Sequence, residues 1–258
     1  TRDTDIVGAP GVTLSVTPRG MGGQLAVRLC DLRPDGTSAL ITHGFLNLRH
    51  HASHAEPTEL TPGTSLEDEV WLYQCAYRLP QGHKLRLAVS TAYWPFIWPD
   101  AEAAGVTITG GTVILPVRPT ALAEEATFAA AEAAPAWDAE VLREPAMSRD
   151  VQESADGTRT VRVKTDDGLH RDRDHGLTTG ATCREDWQIR PDDPLSASGT
   201  IQWVTTMERG DWRVRTECRA WLSATATHWH PRAKIEAWEG EKLIFSKAFT
   251  KDIPRDGI

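Results

Sequence analysis

A hydrolase needs an activated nucleophile, and three serines stand where one could be sought. Ser90 follows Ala88-Val89, and Ser196 and Ser198 lie in Leu195-Ser196-Ala197-Ser198-Gly199. The nucleophile elbow of α/β-hydrolases reads GxSxG because small residues permit the strained turn that exposes the serine. The first glycine is missing around Ser196 and Ser198 and no elbow surrounds Ser90, so all three read as turn or cap residues. The nine histidines raise metal chemistry next. His228 and His230 would share one face of a strand, but a catalytic zinc takes three protein ligands and an open position, and no HExxH or comparable set supplies them. His170, Asp172, Asp174 and His175 lack the glycine-centred loop of an EF-hand and read as a solvated face. His50, His51 and His54 fit a surface loop. These patterns predict no catalytic residue, no metal and no cofactor.

What remains is aromatic. Of the ten tryptophans, Trp71, Trp203, Trp212, Trp221 and Trp238 fall inside strand patterns, where a large ring fills a core or covers a sheet face. Trp94 and Trp98 do not. They belong to Ser90-Thr91-Ala92-Tyr93-Trp94-Pro95-Phe96-Ile97-Trp98-Pro99, whose two prolines forbid helix and central strand. Tyr93, Trp94, Phe96 and Trp98 are costly to leave in water, so the loop must pack on something. Such rings anchor the centres of protein contacts, or stack on sugars. His83 and Arg86 lie on the segment that leads into this loop and join the candidate surface. Trp94 and Trp98 are expected to be more exposed than rings of their size usually are, or else covered by the second half of the chain.

The elements that must position these residues are strands. Short alternating runs at 12–16, 24–32, 39–48, 70–77, 84–90, 106–108 and 112–117 are punctuated by turn residues such as Pro34-Asp35-Gly36, where a fixed φ, an Asx side chain and a residue free to take φ > 0 meet. Connections this short, without intervening helices, predict an antiparallel sandwich or jelly roll over residues 1–119. Residues 120–157 change character: alanine and glutamate dominate 121–134, and Pro135 and Pro145 follow, which reads as an acidic linker with at most a short surface helix. From 158 to 258 the strand signal returns as an antiparallel meander packing with the sandwich. Asp166-Asp167-Gly168 is expected to turn between two runs. The clearest alternation lies at 212–222, with Trp212, Val214, Thr216, Cys218, Ala220 and Leu222 on a buried face and Arg213, Arg215, Glu217 and Arg219 on a wet one.

The 258 residues suffice to bury a core. A formal net charge of -8 does not suit a nucleic-acid binder, whose affinity comes from basic residues facing phosphates. The acidity is local, with seven acidic and two basic residues in 120–150. No apolar run approaches the roughly 20 residues of a membrane span. Cys30, Cys75, Cys183 and Cys218 form no CxxC pair, and a reduced cytosolic setting is the expectation. The first residues lack the regions of a signal peptide and an initiator Met, which reads as a chain beginning partway through a longer protein.

Three ordered segments carry a family resemblance. Val27-Arg28-Leu29-Cys30-Asp31-Leu32-Arg33-Pro34-Asp35-Gly36, Gly44-Phe45-Leu46-Asn47-Leu48-Arg49-His50 and Gly82-His83-Lys84-Leu85-Arg86-Leu87-Ala88-Val89-Ser90 resemble the C-terminal domain of CocE/NonD hydrolases, the family of cocaine esterase and the X-Pro dipeptidyl-peptidases. The aromatic loop looks like one large bacterial branch of it. Asp192-Asp193-Pro194-Leu195-Ser196, Arg209-Gly210-Asp211-Trp212 and Ile253-Pro254-Arg255-Asp256 look like that branch's tail. The resemblance implies a parent with an N-terminal α/β-hydrolase domain carrying a Ser/Asp/His triad, followed by a jelly-roll β-sandwich of galactose-binding-like fold. This chain corresponds to the latter, with no triad residue to carry over and with the first strand of the jelly roll expected to be missing. The implied function is a non-catalytic module of a serine hydrolase cleaving ester or amide bonds of the X-Pro dipeptide type. Its partner would be the catalytic domain, with the aromatic loop as docking surface, and the sequence leaves a homo-oligomer open. The alternative is a stand-alone carbohydrate-binding module using Tyr93, Trp94 and Trp98.

Overall fold

The computed structural model describes residues 3–102, 104–119 and 128–256, and all its elements of any length are strands. No helix among the described residues is long and apolar enough to cross a membrane. The chain divides into two compact units, Thr1–Ala129 with Asp256–Ile258, and Ala130–Arg255.

In the first unit, β2 (Gly11–Pro18) lies between β5 (Leu66–Trp71) and β8 (Val106–Ile114), and β3 (Gln24–Leu32) lies between β4 (Ser38–Asn47) and β7 (Lys84–Ser90). β1 (Thr4–Gly8) pairs with β6 (Cys75–Leu79), and every pairing is antiparallel. Because successive strand residues point to opposite faces, the alternation of β2 and β3 sends Val12, Leu14, Val16, Leu25, Val27 and Leu29 into one core with Leu48, Leu60, Val70 and Leu72. The all-β reading holds, and 24–32 and 84–90 coincide with β3 and β7.

Three runs differ from expectation for local reasons. The 70–77 run is two strands, because the chain changes partners between them: Leu72 N–H donates to the Pro10 carbonyl and Tyr73 N–H to that of His43. The 106–108 run and the first part of the 112–117 run form one strand that ends at Ile114, since Gly110-Gly111 sits beside a register shift instead of a turn. A Cβ at Gly111 would stand 2.5 Å from the Thr13 carbonyl oxygen, so only glycine lets the strands approach. β1 is a strand that the polar Thr4-Asp5 start conceals.

The second unit is an eight-stranded antiparallel sheet. β10 (Ala146–Glu153), β11 (Arg159–Asp172), β12 (Thr178–Arg190), β13 (Asp193–Arg209), β14 (Trp212–Ser223), β16 (Arg232–Glu239) and β17 (Lys242–Thr250) follow in order, and β9 (Ala139–Arg143) also pairs with β11. β15 (His228–Trp229) and β18 (Ile253–Pro254) form a small separate pair. Two expectations are corrected here. The stretch read as a linker supplies two strands, β9 and β10, separated at Glu144-Pro145 because proline cannot donate to a ladder. Of the stretch where at most a short surface helix was expected, 120–127 lies outside the described residues and 128–134 is not helical. Asp166-Asp167-Gly168 is not a hairpin turn but a bulge within the long β11, where Gly168 takes φ 84° and donates its N–H to Asp166 Oδ1.

The alternation of β14 is present, yet its apolar side is not buried, and Trp212 keeps 44% of its surface exposed.

Candidate interaction site

β3, β4 and β7 send their apolar residues inward and therefore turn Arg28, His43, Phe45, Ala88 and Ser90 to the outer face, in register across the sheet. The chain leaving β7 folds back over that face. Phe96 and Ile97 N–H both donate to the Tyr93 carbonyl, closing a tight turn that contains a cis Trp94–Pro95 bond. Phe96 stacks near His43 and Phe45 with ring centroids 5.1 and 5.8 Å away, Tyr93 lies 6.0 Å from Phe45, and Tyr73 meets His43 edge-on at 5.1 Å. The Arg28 guanidinium sits over the Tyr93 ring at 4.8 Å and donates to Ser90 Oγ at 3.2 Å, so the one charge beneath the rings is tied at both sides. Phe96 and Tyr73 remain 65% and 62% exposed on top of this cluster.

The base of the loop is held by polar contacts. Arg49 Nη1 pairs with Asp100 Oδ2 at 2.7 Å, both side chains being largely covered, and Asp100 Oδ1 accepts from the Glu102 N–H. Gln24 Nε2 donates to the Trp98 carbonyl at 3.0 Å. The aromatic surface is thus a supported platform and not a free tip.

The expected site residues do not gather in one place. Tyr93 and Phe96 belong to the exposed cluster. Trp94 and Trp98 do not: their rings meet edge to face at 5.1 Å and both are half-buried. Arg86 is exposed on the outer face, and His83 stands at the opposite end of β7 from the loop, about 20 Å along a seven-residue strand. The participants missed were Arg28, His43, Phe45 and Tyr73. The His43 and Phe45 spacing of two was the available signal, since it puts both rings on the face that Thr42 and Gly44 leave.

His83 has a different partner. Asp31 continues the inward series Leu25, Val27, Leu29 and is 1% exposed, so its carboxylate must be satisfied inside. His83 Nδ1 lies 2.8 Å from both carboxylate oxygens, and the Tyr77 hydroxyl donates to Oδ2 at 2.7 Å. Burial pushes the Asp31 carboxyl up, but the His83 and Tyr77 hydrogen bonds and the nearby positive charge outweigh it and hold the group below its ordinary value. The same bond pushes the Tyr77 phenol up. A carboxyl depressed in the folded state contributes stability that is present above its unfolded pKa of 3.8 and is lost as pH falls through the folded value. Asp31→Asn is therefore expected to destabilise the first unit at pH 7, with the difference from the parent sequence shrinking below about pH 4. Urea midpoints measured at both pH values check this, and an equal difference at both would contradict it.

The other candidates resolve into local structure. Ser196 Oγ accepts from Arg190 N–H and donates to the Asp193 carbonyl. Asp172 accepts from Trp137 Nε1 and from the Asp174 and His175 N–H groups at a hairpin tip. His228 and His230 stack at 6.5 Å, with His230 Nδ1 on Asp252. Among the described residues no three His, Cys, Asp or Glu side chains gather as metal ligands.

Together, an all-β unit with a buried acid used for structure and its aromatic residues gathered on an outer face define a β-domain with an exposed aromatic surface. The chain belongs to the family described as the X-Pro dipeptidyl-peptidase C-terminal non-catalytic domain, whose model matches residues 1–136. No curated protein matches. Among solved structures, similarity is found to an alpha-amino acid ester hydrolase (19% identity, TM-score 0.43, covering 46% of this chain and 24% of that one). It is also found to an aminopeptidase from the marine sediment archaeon Thaumarchaeota archaeon (19%, 0.38, 39% and 18%). A CocE/NonD family hydrolase from Staphylococcus aureus is similar as well (18%, 0.37, 45% and 29%). The chain spans less than a third of the length of each of these structures.

Proposed function

We propose that the first unit, a jelly roll of galactose-binding-like type, docks on the α/β-hydrolase domain of a serine hydrolase and forms one wall of its substrate cleft. The observation that carries this is the platform of Phe96 and Tyr73 over His43, Phe45 and Tyr93, held in place by Arg28 and the Arg49–Asp100 pair. Exposed rings on a rigid support are what a buried contact centre uses. In the parent enzyme the serine, with a histidine as base, would attack an ester or amide carbonyl, as in X-Pro dipeptide cleavage. This chain's part is to fix where the acyl and leaving groups can lie. The four free cysteines fit a reducing, cytosolic setting.

Phe96→Asp in the full-length enzyme is expected to lower kcat/KM for an ester substrate by about 10- to 100-fold, because misplacing a cleft wall by about 1 Å costs that much. The thermal midpoint of the present chain should be unchanged, since the ring is mostly in water. Unchanged kcat/KM would remove the docking assignment. Hydrolysis of p-nitrophenyl acetate by this chain alone, abolished by a serine-directed phosphonate, would contradict its non-catalytic role.

A further inference from the structure

The sheet of the second unit has two unlike faces, and all of it lies beyond the matched residues 1–136. The cross-strand pairs Cys183↔Trp203, Trp203↔Cys218 and Cys218↔Ile235 place these residues on one face. Arg162 and Arg184 with Asp186, Arg215 and Arg219 with Glu217, and Lys234 with Glu236 lace the other. Over the seven strands the first face carries Arg149, Glu153 and Arg159 on β10 and β11, Glu185, which accepts from Trp187 Nε1, Lys247, whose ammonium lies over the Phe249 ring, and, at the strand ends, the oppositely charged Arg209 and Glu239. Yet Trp203, Trp212, Met207 and Phe249 on this face are 40–48% exposed. A sheet with one apolar face is stable only when a second layer covers it.

We propose that this face is a self-association surface, covered in solution by the same face of a second copy of the chain. Three observations select a copy of itself as the occupant. An isologous contact needs protrusions and hollows on the same surface, and here Trp203, Trp212 and Phe249 project beside Ala181, Ala220 and Ala237, which the pairing puts on the same side. Its charges include both signs, so the face does not repel its copy. Seven strands at about 4.8 Å spacing and about eight residues of overlap make a face of roughly 750 Å², close to the ~800 Å² per partner that a stable contact buries. Two such sheets packed about 10 Å apart would complete a sandwich.

Sedimentation equilibrium of the 258-residue chain between about 1 and about 100 µM tests this, a range chosen to bracket micromolar association. A dimer is expected, weakened by Trp203→Glu at least about 100-fold in Kd and unaffected by Ser148→Glu on the charged face. A second readout needs no variant: Cys218 is an exposed thiol at the centre of this face. Its maleimide labelling, located by peptide mapping, should slow about tenfold across the same concentrations as the dimer fills. A monomer throughout, a dimer indifferent to Trp203→Glu, or a labelling rate independent of concentration would each overturn the proposal. None of these outcomes bears on the docking role of the first unit, which Phe96→Asp reports separately.

Discussion

Leu29→Ala will destabilise the first unit by about 2–5 kcal/mol, the range for truncating a fully buried leucine. Leu29 is 1% exposed and belongs to the cluster contributed by β2, β3 and β5. It sits in the middle strand of its sheet, paired with Thr42 on one side and Leu87 on the other, so the backbone cannot close over the missing atoms without breaking two ladders. The cavity stays open, and its cost adds to the lost transfer energy. Leu40→Ala, at a 49% exposed position near the end of the neighbouring strand, is the control and should cost well under about 1 kcal/mol. Because two units need not unfold together, the measurement should be amide hydrogen exchange resolved to β3. Loss of protection confined to the first unit is expected, and equal losses for the two variants would mean that the core is not where the pairing puts it.

Arg49→Ala should cost about 3 kcal/mol, because it leaves a largely covered Asp100 carboxylate without its counter-charge. The partial exposure of Arg49 keeps the figure at the lower end of the range for buried pairs. Arg49 also fills the space against Gly22, where a Cβ would stand 2.2 Å from its guanidinium. The structural consequence reaches beyond the pair itself: with the base of the 91–102 loop released, Phe96 and Tyr93 lose their fixed seat over His43 and Phe45. Proteolytic nicking within 91–102 should rise in Arg49→Ala and be partly suppressed in Arg49→Lys, which restores charge but not the guanidinium geometry. If both variants resist protease as the parent sequence does, the aromatic platform does not depend on this pair.

Much of the architecture was legible because inward and outward residues alternate. β3 and β7 could be bounded to the residue, and the three motifs that suggested the family fall on β3 with its turn, the end of β4 and β7. The errors share a cause. Gly110-Gly111 and Asp166-Asp167-Gly168 carry turn chemistry, yet both stand in continuing strands beside bulges, since a residue free of Cβ serves close approach as readily as reversal. β9 and β10 were hidden by alanine, acidic residues and proline, which read as a linker wherever no neighbour is known. They are strands because β11 is long enough to pair with both.

The sequence by itself determined the all-β class, the inward series through β2 and β3 and the absence of a nucleophile elbow, all properties of residue type and local period. Only the tertiary structure decided which aromatic residues face water. Trp94 and Trp98 cover one another while Phe96 and Tyr73 do not, because burial depends on what the loop folds against and not on ring size. It also decided that His83 belongs to Asp31 and Tyr77, three residues from separate segments whose meeting satisfies a carboxylate that β3 forces inward. The apolar side of β14 was read correctly as a face and wrongly as buried. Alternation specifies which side a residue takes, and only the presence of a covering layer decides whether that side is dry.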